Sequence, residues 1–358
     1  MSLLMNYSDP RFIKIAQRVF EEQFKRDPKL EKEMDERRKS LMYDDIIYNI
    51  SFLLTAVHFG DPKIFSGYAQ WLYELLCNLM KDLDRDRISE HMTGHYAILA
   101  EVLADSAAEL MGEDELSKVK EYLSLAIKET EDAVAKVPLS ASFMEGDLYD
   151  IRKQYLEALL TSRTKVAYET ISAARKKGVP LEVIYEEVLA KVMYEIGSLW
   201  HRNIITVDKE HYATSVTQMV MSGFYDEIFA RPRKNRKLVS CAVGNELHEM
   251  GIRMLSDVLE LNGWDTIYLG AALPEAAILE AIRSHEPDLV ALSVTMPPYL
   301  STCERVVQAI RSSYPNIKIA VGGQAFANTS ELWERWDVDF FSTSASALAR
   351  WAKGQFGI

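Results

Sequence analysis

The chain has 358 residues, 48% of them hydrophobic and 26% charged, and its formal net charge is -12 at pH 7. The length predicts two or three domains, and the composition is typical of a soluble globular protein. An acidic balance of this size argues against a nucleic-acid surface, which would show a basic patch, and against binding to an anionic membrane.

The sequence gives no indication of export or membrane insertion. The three cysteines, Cys77, Cys241 and Cys303, are scattered without a C-x-x-C pair, so neither a disulfide framework nor a zinc site is predicted. The N-terminal sequence lacks a basic region followed by a long apolar run, so we expect no signal peptide. The longest apolar patch, at 46–57, is too short to span a bilayer, and we expect a cytoplasmic protein.

Residues 1–140 are predicted to form an all-helical domain, globin-like or a bundle of five or six helices, with a sensor or interaction role. Asp9-Pro10 is typical of a helix start, because an acceptor side chain precedes a proline that the first turn tolerates. Gly60-Asp61-Pro62 breaks the helical pattern and opens another helix. Two further helices are expected at about 88–111 and 115–134.

The helix after this break carries an aromatic stripe made of Phe65, Tyr68, Trp71 and Tyr73. Such a stripe could flank a flat ligand such as a bilin or a haem, but aromatic residues at helical spacing are more often plain core, which is the interpretation we favour. His91 and His95 stand four residues apart and could share a helix face and a metal ion. Because the sequence offers no clear third ligand, we interpret both histidines as surface residues.

Residues 145–231 are predicted to form a four-helix segment that follows a linker at 136–138. The turn Gly178-Val179-Pro180 interrupts its helical pattern. Near the end of the segment, Trp200 is followed by nine residues and then by Glu210-His211. Spacing alone favours an ordinary role for these residues, with the tryptophan capping one helix and an exposed Glu-His pair opening the next.

Residues 236–358 are predicted to form a five-stranded parallel sheet of the flavodoxin-like type. An apolar run at 238–243 leads into a polar loop with Glu246 and His248, and later apolar runs end beside Ser-Val-Thr and Gly-Gly. In the strand order 2-1-3-4-5, the first, third and fourth strands are neighbours, and their carboxyl ends line one crevice. The loop motif taken alone favours an ordinary loop histidine hydrogen-bonded to Glu246.

The polar positions of this crevice resemble the cobalamin-binding domain of methionine synthase and related corrinoid proteins. The family pattern D-x-H-x-x-G, S-x-L and G-G is matched by Glu246-x-His248-x-x-Gly251, Ser293-x-Thr295 and Gly322-Gly323. The resemblance implies that His248 is the lower axial cobalt ligand, that Ser293 lines a slot for the displaced nucleotide tail, and that the glycine pair leaves room for this tail. Two departures are Glu246 in place of Asp and Thr295 in place of Leu. A carboxylate on the far nitrogen of a metal-bound histidine fixes its tautomer, and the extra methylene of Glu246 puts this geometry in question.

The tryptophan and the Glu-His pair resemble the four-helix cap of the cobalamin-dependent photoreceptors of the CarH type, which carries W-x9-E-H just before the corrinoid domain. This resemblance covers about residues 150–358. It implies that Trp200, Val207 and Glu210 pack around the deoxyadenosyl group, and that His211 can ligate cobalt from above after light breaks the cobalt–carbon bond. The cofactor-binding residues implied by both resemblances are Trp200, Val207, Glu210, His211, Asn245, Glu246, Leu247, Met250, Gly251, Ser293, Val294, Thr295, Gly322 and Gly323.

Three functions are considered for such a chain. The first is a light-responsive adenosylcobalamin sensor without enzymatic activity, which signals to an effector protein through conformational or oligomeric change. The second is a corrinoid carrier that shuttles a methyl group between methyltransferases, which gives Trp200 and Glu210-His211 no role. The third, a receiver-like module, needs an acidic cluster and a lysine where this chain has His248 and a Ser-Thr-Ser run at 342–344, and we reject it.

We favour the sensor, with adenosylcobalamin as the cofactor and a bilin as a further candidate ligand. The first 140 residues do not resemble the MerR-like DNA-binding domain of the CarH photoreceptors, so we expect no direct DNA binding. We also expect no membrane partner. A homo-oligomer is left open.

Overall fold

A computed structural model of the protein describes residues 9–106, 111–133 and 143–357. The described chain divides into two compact units. The first contains the described part of 1–137 together with Met296–Ser301 and Asn328–Leu332, and the second contains the described remainder. The linker predicted at 136–138 lies outside the described residues.

The first unit is helical, as the sequence predicts. Its described helices are α1 (Pro10–Arg26), α2 (Leu30–Glu33), α3 (Glu36–Phe59), α4 (Lys63–Leu79), α5 (Arg85–Asp105) and α6 (Glu113–Ala133). The predicted helix start is confirmed, because the side chain of Asp9 accepts a hydrogen bond from the backbone N–H of Arg11 at 2.8 Å. Gly60 ends α3 in the left-handed conformation, with φ of 62°.

The aromatic stripe of α4 belongs mainly to the core of this unit. Phe65, Tyr68 and Tyr73 are buried, and the ring of Tyr68 stacks on Phe52 of α3 with 4.0 Å between centroids. Trp71 is exposed. The interpretation of the stripe as plain core is therefore confirmed for three of its four residues.

His95 of α5 is buried and His91 is mostly enclosed, so the interpretation of both as surface residues is wrong. His95 is only 8% exposed, and its Nδ1 lies 2.8 Å from the side-chain nitrogen of Gln23 on α1. The side chain of His91 is 13% exposed and faces Glu33, with 3.6 Å between His91 Nε2 and the carboxylate. The reason is that α5 is covered by α1 on one side and by α4 and α6 on others, so it has little free surface.

The second unit begins with a helical segment. Its helices are α7 (Tyr149–Leu160), α8 (Thr164–Lys176), α9 (Leu181–Val183), a π-helical segment (Ile184–Ala190), α10 (Lys191–His201), α11 (Val207–Ser222) and α12 (Tyr225–Phe229). Their apolar faces form one core that also includes Met254 and Val258 from the following sheet domain. We call 149–229 the cap.

A completely buried arginine fastens the start of the cap. The guanidinium of Arg152 on α7 donates to the carbonyl oxygens of Phe143 at 2.8 Å, Glu187 at 2.9 Å, and Glu145. Glu187 lies in the π-helical segment. One cation thus satisfies three carbonyl groups, two from the segment that precedes the cap and one from the cap itself, and it is held without exposure to water.

The rest of the second unit is a parallel sheet with helices on both faces, as predicted. Its strands are β1 (Lys237–Ala242), β2 (Asp265–Tyr268), β3 (Leu289–Ser293), β4 (Lys318–Gly322) and β5 (Phe340–Phe341), and its helices are α13 (Met250–Leu261), α14 (Glu275–His285), α15 (Leu300–Ser313), α16 (Gln324–Ala327) and α17 (Ala345–Phe356). The strand order is β2-β1-β3-β4-β5, so the flavodoxin-like prediction is confirmed.

The register of the sheet places the carboxyl ends of its three central strands side by side. Ala242 of β1 pairs with Ser293 of β3, which pairs with Gly322 of β4. The loops after these strands therefore emerge side by side, as expected at a topological switch point. Among the described residues, no helix is both long and apolar enough to cross a membrane.

Candidate functional site

The loop between β1 and α13 is built around a buried carboxylate. Glu246 is 1% exposed, and its Oε1 accepts from the backbone N–H of His248 at 3.0 Å and lies 2.5 Å from His248 Nδ1. Its Oε2 accepts from the backbone N–H of Thr295 at 2.9 Å. Because both oxygens are engaged, Glu246 fixes the loop to the end of β3 and orients the imidazole at the same time.

This arrangement leaves one nitrogen of His248 available. A carboxylate only accepts hydrogen bonds, so Nδ1 of His248 carries the proton and Nε2 carries the lone pair of the neutral ring. The side chain is 62% exposed. The hydrogen bond that His248 donates to Glu246 raises the pKa of His248, against the opposing effect of desolvation. The longer Glu side chain reaches the imidazole, which answers the geometric question raised by its replacement of Asp.

A small cavity opens beside this loop at the carboxyl edge of the sheet. Its volume is about 90 Å³. The lining residues include Gly251, Ser293, Gly322, Gly323, the run Ser342, Thr343 and Ser344 after β5, and Tyr194 of the cap. Residues that the sequence places in three separate motifs thus line one cavity, with hydroxyl groups and bare backbone among apolar side chains.

The glycine pair is required by the backbone itself as well as by the cavity. A Cβ on Gly322 would overlap the carbonyl oxygen of Ser342, and one on Gly323 would overlap the backbone of Val294. Gly323 also has φ of 99°, which side-chain-bearing residues rarely adopt. By contrast, a Cβ on Gly251 would meet open space.

The first turn of α11 carries Glu210. Besides Glu246, the negative charge of Glu210 contributes to raising the pKa of His248. Glu210 also accepts from Thr214 Oγ1 at 3.2 Å. His211 is 76% exposed, Val207 is exposed, and Trp200 is half-buried in the last turn of α10.

The remaining loop residues expected at the site differ in their exposure. Asn245 and Leu247 are exposed, and Met250 packs against the core of the cap. Val294 is completely buried, and its backbone N–H donates to the carbonyl of Gly322 at 3.0 Å. Its side chain therefore supports the loop from within the fold.

Sequence reasoning missed the contacts that hold the cap onto the sheet domain. Gln218 of α11 donates to Glu249 at 3.1 Å, and the hydroxyl of Tyr268 donates to the other oxygen of Glu249 at 2.8 Å. At the other end, Glu186 of the π-helical segment accepts from Ser344 Oγ at 2.8 Å and from the N–H of Ser346 at 2.9 Å. The small polar run after β5 was the available signal, since it ends a strand at the same edge of the sheet.

Comparison with known proteins assigns both parts of the second unit. Two family models, each described as a B12 binding domain, match residues 236–350 and 151–222, which together make up about half of the chain. The C-terminal part of this chain belongs to the B12-binding-domain family. The protein is accordingly a cobalamin-binding protein, and the site described above lies within the matched regions.

Curated relatives of this B12-binding protein fall into two groups. It is 28% identical over 159 residues to the HTH-type transcriptional repressor CarH and 32% identical over 120 residues to the repressor CarA, both from Myxococcus xanthus. These matches cover 44% and 33% of this chain and 52% and 41% of the repressors, so the chain spans about half the length of these relatives. It is 22% identical over 212 residues to dimethylamine corrinoid protein 3 of Methanosarcina acetivorans, covering 58% of this chain and 98% of that protein.

A solved structure shares the fold of the C-terminal part. The monomethylamine corrinoid protein of Methanosarcina barkeri superimposes with a TM-score of 0.51 at 18% identity, covering 57% of this chain and 98% of that one. At this level of identity the likeness concerns the fold alone.

The residues of the site fit a cobalamin. A base-off corrinoid needs a neutral imidazole nitrogen from below, and Nε2 of His248 is exposed while Nδ1 is held by Glu246. Its nucleotide tail needs a slot at the sheet edge, and the cavity beside Ser293 and Gly322 lies there. An apolar ring needs apolar cover, and Leu247 of the histidine loop and Val207 of α11 both expose apolar surface.

Proposed function

We propose that the protein is a light-responsive adenosylcobalamin sensor, not an enzyme, which signals through conformational or oligomeric change to an effector protein. The observation that carries the proposal is that buried Glu246 holds Nδ1 of His248 and leaves Nε2 for a metal ion, in a domain bonded to a cap that carries Trp200 and Glu210-His211. Bound adenosylcobalamin supplies a cobalt–carbon bond that visible light can break.

In this proposal the side chains of the histidine loop and of the cap have separate tasks. His248 holds the cofactor from below through Nε2, and buried Glu246 keeps that imidazole in the required tautomer. From above, Trp200 and Val207 supply apolar cover, and the carboxylate of Glu210 accepts hydrogen bonds from hydroxyl groups of the upper ligand. These roles keep solvent from the upper ligand in the dark.

His211 is the residue to which we assign the response. It stands beside Glu210 at the start of α11 and is 76% exposed, so its side chain can change position without breaking a packed core. A change in the bound cofactor would therefore first displace the first turn of α11, and the rest of the cap would follow.

The experiment is an absorption spectrum of the protein loaded with adenosylcobalamin in the dark, before and after green light. We expect an irreversible spectral change in the wild-type protein. His211→Ala should bind in the dark like wild type and give a different illuminated spectrum, whereas His285→Ala, an exposed histidine on α14, should behave as wild type throughout. A bound adenosyl form that light leaves unchanged contradicts the sensor.

Selectivity for the upper ligand provides a second, independent test. If Trp200 covers a deoxyadenosyl group, Trp200→Ala should reduce the preference for adenosylcobalamin over methylcobalamin, measured as the ratio of the two dissociation constants. An unchanged ratio would mean that the indole has no part in choosing the upper ligand.

A corrinoid methyl carrier is the second candidate function. The match to a dimethylamine corrinoid protein favours it, because this match spans 98% of that protein and 58% of this chain. A carrier would accept methylcobalamin as readily as the adenosyl form and would pass its methyl group to a methyltransferase. The Trp200→Ala measurement therefore distinguishes the two candidates as well.

A bilin, considered on the basis of the aromatic stripe, is not part of this proposal. The relatives named above are corrinoid proteins and repressors, and most of the stripe lies in the core of the first unit.

A further inference from the structure

The helical first unit contains a large cavity that the cobalamin site does not use. It has a volume of about 570 Å³ and lies between α3, α4 and α5. Pockets that bind drug-sized molecules fall within about 300–1,000 Å³, so this volume suits an organic ligand of that class. The walls are mainly leucine and methionine side chains, among them Leu72, Leu75, Leu76, Met42 and Met92.

The cavity has an exposed mouth and a buried polar end. Leu41 and Leu79 line it and are exposed, which places the mouth at their side, where the exposed Asp35 and Arg37 line it too. Asn49, His95 and Tyr96 line it as well, and are 3%, 8% and 0% exposed, so they form the deep end.

Each of these three deep side chains has a polar atom without a hydrogen-bond partner among the described residues. The atoms are Asn49 Oδ1, His95 Nε2 and the hydroxyl of Tyr96. Buried polar groups are nearly always paired, because each one left alone loses its hydrogen bond to water. His91 lines the same cavity, and its Nε2 also lacks a hydrogen-bond partner among the described residues, so four such atoms belong to residues of one cavity. This indicates that the cavity holds a molecule that pairs with them.

The neighbours of the three side chains define what that partner must offer. The amide nitrogen of Gln23 donates to Nδ1 of His95, so Nε2 carries a proton and is a donor. Burial lowers the pKa of His95 to about 4, which keeps the ring neutral at pH 7. The amide nitrogen of Asn49 is taken by the carbonyl of Asp45 at 2.8 Å, which leaves Oδ1 as an acceptor.

We propose that this cavity binds a neutral, mainly apolar small molecule whose inner end carries an oxygen acceptor and an N–H or O–H donor. The acceptor receives hydrogen bonds from His95 and Tyr96, and the donor is received by Asn49. An anionic head is disfavoured, because a buried charge needs a partner, and the two arginines among the described lining residues, Arg37 and Arg38, are exposed and half-buried. Carboxamides, lactams and phenols have the required head.

The test is equilibrium dialysis of the full-length, cobalamin-loaded chain in the dark against three probes of matched shape. These are pyrene carboxamide, ethylpyrene and pyrene carboxylate, each measured by chromatography. The carboxamide should bind most tightly, since it alone has both a neutral acceptor and a donor. Equal binding of ethylpyrene, tighter binding of the carboxylate, or no binding of any probe would overturn the proposal.

Variants locate the probe in the cavity. Tyr96→Phe removes one hydrogen bond and should weaken carboxamide binding about tenfold while leaving ethylpyrene unchanged. Tyr155→Phe, at a buried tyrosine of the cap, is the matched control and should change neither. Leu76→Trp fills the space and should abolish carboxamide binding, with circular dichroism and thermal unfolding used to verify that each variant is folded. Unchanged carboxamide binding in both Tyr96→Phe and Leu76→Trp would refute this location.

Discussion

Replacing Glu246 by Gln tests the buried carboxylate that orients His248. The substitution keeps the shape of the side chain but exchanges one acceptor oxygen for an N–H₂ donor. In the wild-type protein both oxygens accept, one from the imidazole and one from the backbone N–H of Thr295. A glutamine can satisfy only one of the two. In one orientation the glutamine nitrogen points at Nδ1 of His248, so Nδ1 must accept and the proton moves to Nε2. In the other orientation the nitrogen points at the backbone N–H of Thr295, and two hydrogen-bond donors then face each other.

The first outcome blocks the nitrogen that must hold cobalt, and the second loosens the loop that carries it. Removal of such a partner of a metal-bound histidine weakens metal binding by about ten- to a hundredfold, which corresponds to about 1.4–2.8 kcal/mol. We expect the dissociation constant of Glu246→Gln for adenosylcobalamin to rise within this range.

Titration of the apoprotein with cofactor in the dark, followed by absorption, measures the effect. Glu246→Asp keeps both acceptors and restores the residue usual in corrinoid proteins, so it should stay within about threefold of wild type. Glu280→Gln, at an exposed carboxylate of α14, controls for the loss of one charge. If Glu246→Gln bound as tightly as wild type with an unchanged spectrum, the role given to this carboxylate would be refuted.

Three further predictions concern stability. Gly323→Ala should lower the free energy of unfolding by about 2 kcal/mol or more, because its left-handed backbone and the neighbouring chain both exclude a Cβ, whereas Gly354→Ala, on an open helix face, should be neutral or stabilising in urea unfolding. Arg152→Met should cost about 3 kcal/mol in the same assay, since three carbonyls lose the donor that the buried guanidinium supplies; a midpoint equal to wild type would contradict this. Burial raises the pKa of Asp257 to about 6, so folding favours its protonated form. The free energy of unfolding should therefore fall as the pH rises from about 4 to about 6, by about 3 kcal/mol at most. Asp257→Asn should flatten that dependence, and an equally steep profile in the variant would show that other groups cause it.

The architecture of the second unit was accessible from the sequence because its signals are local. The three central strands, β1, β3 and β4, are short apolar runs that lead into Gly or Ser-x-Thr, and their order follows from the rules of parallel sheets. The meeting of His248, Ser293 and Gly322 at one edge followed from the same rules. Their roles toward cobalamin came from the resemblance and remain proposals.

Contacts made by backbone groups and by surrounding helices were not accessible. Nothing in the sequence indicates that the N–H of Thr295 pairs with Glu246, since a backbone donor has no signature in the side-chain pattern. The burial of His91 and His95 was missed for a related reason. Helical periodicity identifies one apolar face, but α5 is covered on several sides, and polar residues on its other faces are enclosed as well.

Glu186 links the cap by hydrogen bonds to the lining of the cavity at the sheet edge. Its carboxylate holds the hydroxyl of Ser344 and the N–H of Ser346, which begin α17 directly after the loop that lines the cavity. A ligand that widens the cavity must stretch or break these two hydrogen bonds of Glu186. Conversely, a tilt of the π-helical segment must change the cavity. Coupling free energies are reciprocal. A partner that binds the cap would therefore change the affinity of this cavity for the proposed nucleotide tail by the same factor as the tail changes the affinity of the cap for that partner.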